Sequence, residues 1–163
     1  MHDSSSVTYP VFTAIAAPEV QNKLNGDFAI IAGPYLQNLA TGGCELDYTL
    51  TFVSEKFISM VFFGVLDEGE KEIFAKIPLN IDVQTGAQLA LGDVLNLRDA
   101  DLLPVLRLLT KKDKVDFSKG IPESWYYNGT NFVFCQRSET GEWLEATVAA
   151  SDLKKFLLKP ELF

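Results

Sequence analysis

The side chains that most often carry chemistry are scarce in this chain. Its one histidine, His2, sits in a polar leader, residues 1–6, that is expected to fray. No triad or metal cluster built on imidazole can be assembled from it. The two cysteines, Cys44 and Cys135, are far apart and form no CxxC, which excludes a zinc site or a thioredoxin-like redox pair. They fit either one long-loop disulfide of an exported domain or two buried free thiols, and burial is the commoner fate of such a cysteine. Cys44 has no basic neighbour to activate it as a nucleophile.

Carboxylates are more plentiful. Asp67, Glu68, Glu70 and Glu72 make the densest cluster, of a kind that can hold calcium or meet a cationic protein surface. The spacing lacks the alternating oxygen ligands and closing glutamate of a calcium loop, so no metal is expected and a charged hairpin tip is. Each of the other acidic residues has a simpler role as a cap, a turn or a solvent-facing position, so no catalytic residue is assigned and the chain reads as a non-enzyme with no cofactor. The triplet Trp125, Tyr126 and Tyr127 offers a different chemistry. Strand alternation sends Tyr126 one way and Trp125 and Tyr127 the other, and the latter two are the candidates for stacking on a sugar or anchoring a protein. Asn128, Gly129 and Thr130 form a glycosylation sequon, read more simply as a hairpin turn.

The chain that must position these groups has 163 residues, 47% hydrophobic and 22% charged, in the range of one globular domain, taken as residues 7–163. Its net charge of −8 disfavours nucleic acid and suits a cationic partner. Phe alone supplies 12 residues, a composition that favours sheets. No apolar run is long enough to span a membrane, and the first residues lack the basic and apolar regions of a signal peptide.

Residues 7–15 read as a first strand at a sheet edge, because Pro10 cannot donate to a ladder. From Pro18 the spacing becomes helical, with Val20, Leu24, Phe28, Ile31, Tyr35 and Leu39 on one face. Pro34 should kink or divide that helix. Residues 45–53 alternate strictly, with Leu46, Tyr48, Leu50 and Phe52 toward the helices. Residues 57–65 are apolar enough for a central strand, and 73–83 complete a hairpin with the acidic tip. Asp93 is a plausible N-cap, residues 102–109 are a helix, and 125–127, 131–136 and 142–148 are strands. A short terminal helix should run from Ser151 to about 158. The order predicts an α+β fold, an antiparallel or mixed sheet with helices mainly on one face. The face opposite those helices, and the acidic tip, should then be open to a partner.

The run PLNIDVQTGAQLALGDVL, from Pro78 to Leu95, resembles a recurring stretch of the extracellular domain family shared by the anti-sigma factor RsiV and the polysaccharide deacetylase PdaC. TYPVF at Thr8 to Phe12, the helix start with Val20, Asn22 and Lys23, the strand at Asn131 to Phe134 and the pattern from Gly141 to Leu153 fit as well. The resemblance implies an exported, often membrane-tethered module of the cell envelope, one that recognises lysozyme in some relatives and accompanies a cell-wall deacetylase in others. Relatives commonly carry a Gly-Gly-Ala-His element between the two central strands, whereas this chain has GVLDEGEK, from Gly64 to Lys71, without histidine. The expectation is therefore a binding or sensing domain for lysozyme, another cationic protein or a cell-wall glycan. The alternative is an accessory or catalytic domain of a cell-wall hydrolase or deacetylase.

Overall fold

A computed structural model of the chain describes residues 5–14, 17–40, 43–67 and 71–163. The first strand shrinks to β1, Ser6–Val7, and the extended segment after it lies outside any ladder. Asn25 holds that segment instead, accepting from the Phe12 N–H at 2.8 Å and donating to the Phe12 carbonyl at 2.9 Å. The helix α1, Pro18–Asn38, continues through Pro34. It buries Leu24, Phe28, Ala32 and Tyr35, spaced at four, four and three residues as one helical face requires.

Three long strands follow: β2, Cys44–Val53; β3, Phe57–Asp67; and β4, Glu72–Asp82. With β1 and the two-residue β5, Ala87–Gln88, they make a five-stranded sheet in the order β1-β2-β3-β4-β5, mixed because β1 runs parallel to β2. Leu46, Ile58, Met60, Phe62, Leu79 and Ile81 pack under α1 as one core. The alternation predicted for β2 holds only as far as Leu50. A register shift between Leu50 and Phe52 inserts an extra residue and reverses the parity. Leu50 is left exposed and Phe52 crosses to the opposite face, where it joins a second core.

That second core lies between the five-stranded sheet, a three-stranded antiparallel sheet and the remaining helices. The small sheet runs β6, Ser124–Tyr127; β7, Asn131–Arg137; and β8, Trp143–Ala149. Around it sit α2, Leu91–Val94, and α3, Leu102–Leu109, and the expected terminal helix is a 3-10 helix, Ala150–Phe156. Asp93 is not the N-cap of α2. It stands at the third helical position and accepts from the Ala90 N–H at 2.8 Å, which satisfies a free helix-start donor in the manner of half a capping box.

The two sheets are joined by a buried polar network. Ser59 and Asn80, directly opposite each other on β3 and β4, reach the free edge of β6. Ser59 Oγ donates to Asn80 Oδ1 at 2.7 Å and accepts from the Tyr127 N–H at 2.8 Å, while Asn80 Nδ2 donates to the Trp125 carbonyl at 2.7 Å. An edge strand buried without partners would strand these backbone groups. Two side chains from the face of one sheet thus complete the edge of the other.

Candidate functional site

Because the small sheet docks through its edge, it covers only part of the face opposite α1. Beyond it the face stays open, which corrects the expectation of a wholly exposed face. Ladder register sets the rows of this open floor, since residues directly opposite share a face. Asp47, Phe63 and Lys76 form one row, Glu45, Val65 and Phe74 the next, and Asp67 and Glu72 the last. Trp143 of β8 overlooks the first two rows, and the groove enclosed there has a volume of about 490 Å³. Phe63 and Phe74 are 44% and 49% exposed, large values for rings on a sheet, and Glu45 and Asp47 are exposed beside them.

At the corner where floor meets wall, Lys76 crosses to the small sheet and pairs with Glu145, its side chain only 12% exposed. Its ammonium also lies 5.5 Å from the ring centres of Phe63 and Tyr126. Glu145 Oε1 accepts from the Tyr126 hydroxyl at 3.0 Å and from the Cys135 thiol at 3.8 Å. One carboxylate oxygen therefore serves three donors. Burial pushes the Cys135 thiol up to about 12, with Lys76 opposing and Glu145 adding to the rise. Tyr126 is raised too, by burial first and then by the Glu145 charge. Near neutral pH both groups stay protonated, so the cluster is a hydrogen-bonded strut and holds no ready nucleophile. Both cysteines are free and buried, and the Cys44 thiol donates to the Tyr35 carbonyl at 3.2 Å.

The residues singled out from the sequence divide three ways. Asp67 and Glu72 are exposed and directly opposite each other as the last pair of the β3-β4 hairpin, on the same face as the groove floor. Glu68 and Glu70 lie outside the described residues. Trp125 and Tyr127 are 2% and 4% exposed and so do not form an outward aromatic face. Trp125 stacks on Phe57 and on Phe132, with ring centres 6.4 and 5.4 Å apart, and docking of the β6 edge on Ser59 and Asn80 fixes that parity. Tyr126 faces the groove side instead. Sequence reasoning missed the Lys76, Glu145, Tyr126 and Cys135 cluster, whose members come from four strands. It also missed Phe63, on the strand paired with the Glu45 to Asp47 stretch, and Phe74, on the next strand across.

A second hollow of about 810 Å³ lies at the other end of the sheet, between Phe12, Val53, Ile58 and Val83. Among the described residues lining it, Glu55 alone is ionisable, so it lacks the set of charged groups, Glu45, Asp47 and Lys76, that makes the groove the better candidate. Among the described residues no helix is long and apolar enough to cross a membrane.

No family model matches the chain, and no curated protein matches it. Solved structures do share its fold. A DUF3298 family protein from Pseudomonas aeruginosa PAO1 superposes with a TM-score of 0.61 at 13% identity, over 89% of this chain and 83% of that one. A member of the same family from Bacteroides fragilis gives a TM-score of 0.54 at 14% identity, over 85% of this chain and 65% of that one. The chain is thus an α+β protein with a DUF3298-type fold. At these identities the likeness concerns the fold, and function has to be argued from the groove.

Proposed function

We propose that the chain is a non-enzymatic binding domain of the bacterial cell envelope whose groove receives a cationic protein surface. The observation that carries this reading is the pairing, on one open floor, of exposed Phe63 and Phe74 with the carboxylates Glu45, Asp47, Asp67 and Glu72. A lysine or arginine from a partner can lay its apolar stem along the rings and set its charge against the carboxylates. Lys76, the one cation among the described residues lining the groove, is already committed to Glu145. The net charge of −8 adds a long-range field of the right sign for steering such a partner.

Lysozyme is the named candidate, through the resemblance to the RsiV and PdaC domain family, which also supplies the extracellular location. A cell-wall glycan is the competing ligand, for which the Phe63, Phe74 and Trp143 rings would be stacking platforms. Titration calorimetry with lysozyme and with soluble peptidoglycan fragments separates them. Lysozyme binding that weakens as salt rises, and that falls about tenfold or more in the double variant Glu45→Gln, Asp47→Asn, supports the proposal. Binding of glycan but not lysozyme at low salt overturns it in favour of a carbohydrate module. Turnover of a glycan substrate overturns the non-enzymatic reading.

A further inference from the structure

The groove floor ends at the outer edge of β4, and among the described residues most of that edge has no partner strand. Leu89 of the chain segment after β5 donates to the Asn80 carbonyl at 2.7 Å, so the even-numbered residues of β4 point their backbone groups away from β3. Pro78 agrees with this phase, because a proline is tolerated where its missing N–H would face outward. The partner strand β5 covers only Ile81 and Asp82. Among the described residues, the outward N–H and C=O groups of Glu72, Phe74 and Lys76 therefore face no strand. Beside them Ile73 and Phe74 are among the exposed large apolar side chains. An open edge with apolar side chains on both of its faces is a template for another strand.

We infer that the strand it takes is β4 of a second copy of this chain, paired antiparallel about a two-fold axis at Phe74. The sequence from Glu72 to Lys76 is self-complementary in that register and in no other centred on the open segment. Glu72 falls opposite the second copy's Lys76, Phe74 opposite Phe74, and Ile73 opposite Ala75. On the groove face this sets each lysine between two carboxylates, Glu145 of its own chain and Glu72 of the other, with an aromatic pair at the centre. On the α1 face it covers Ile73. Each outward residue pair exchanges two N–H···O bonds, and Pro78 stops the ladder from running further toward β5. The interface is isologous, the closed symmetry expected of a homodimer, and it joins the two groove floors into one surface. So short a pairing belongs to the transient class, below about 1,200 Å² of buried surface.

The two-fold places residue 74 of both copies in a directly opposed, hydrogen-bonded pair, whose Cα separation of about 5.5 Å lies within the range a disulfide spans. Phe74→Cys is a mild change at an exposed site, and the native thiols are buried. Under gentle oxidation F74C should form a disulfide dimer at least about tenfold faster than Ile30→Cys, an even more exposed site on α1, because association makes the encounter local. Adding Glu72→Lys, which sets lysine against lysine, should slow F74C several-fold. Equal rates for F74C and I30C overturn the inference. So does a rate that E72K leaves unchanged, since the register would then be wrong. Protection of the Phe74 and Lys76 amides from hydrogen exchange by a basic peptide, with no dimer of F74C, would assign the edge to the partner instead and also overturn it.

Discussion

Removing one hydroxyl should loosen the joint between the two sheets. In Ser59→Ala the Tyr127 N–H loses its acceptor and Asn80 Oδ1 loses its donor, both in a place where Ser59 and Asn80 are buried. A buried polar group left unpaired costs about 1–3 kcal/mol, so two of them cost about 2–5 kcal/mol after partial relaxation. That is a large share of the roughly 5–15 kcal/mol by which a domain is stable. At about 2–4 °C per kcal/mol for a chain of this size, the melting temperature should fall by about 4–20 °C. Asn80→Ala should cost a similar amount, and the double variant less than the sum, because either single change already breaks the network. Urea unfolding of all four proteins gives the cycle, and amide exchange at Tyr127 gives the local readout. A loss under about 0.5 kcal/mol for Ser59→Ala, with Tyr127 still protected, would refute the view that these hydrogen bonds hold the β6 edge in place.

Other consequences follow from single positions. A Cβ at Gly64 would sit 1.9 Å from the Tyr35 hydroxyl and 2.4 Å from its ring, so Gly64→Ala should destabilise by about 1–3 kcal/mol in thermal melts. The Cys135 thiol, pushed up to about 12 from an ordinary value near 9, and Tyr126, also raised, favour the folded state while they are protonated. Their contribution is therefore complete below their unfolded values and is lost as pH rises through the folded ones. The urea midpoint should fall from about pH 9 upward, less steeply in Cys135→Ser, and a midpoint that is flat or rises to pH 11 would contradict this. Replacing Asp67 with Ser and Glu72 with Gln should leave the melting temperature nearly unchanged, because exposed carboxylates are screened, while slowing association with a cationic partner in stopped-flow mixing. Unfolding of that variant would mean that the pair is structural.

The long elements were readable because each depended on one local signal. The apolar run of β3, the alternation of β2 as far as Leu50 and the three-and-four spacing of α1 all survive in the fold. What failed was parity. Nothing in LTFV marks the extra residue that turns Phe52 to the other face, and in SWYY both phases place aromatics on both sides. The choice for β6 belongs to Ser59 and Asn80, which contact it across 68 and 45 positions of sequence. The Lys76 to Glu145 pair, 69 positions apart, was hidden for the same reason. Acidic residues 67 and 72 were visible as charge, but their place on the face of the aromatic groove needed the β2-β3-β4 register.

Mapping where a cationic partner touches the protein tests the groove most directly. In amide chemical-shift titrations of the isotope-labelled chain with lysozyme at low salt, the perturbed residues should be Glu45, Asp47, Phe63, Val65, Phe74 and Lys76, extending to Asp67 and Glu72, and the shifts should collapse as salt is raised. Perturbations centred on Phe12, Val53 and Val83 at the other end of the sheet, with the floor of the groove unmoved, would contradict the account.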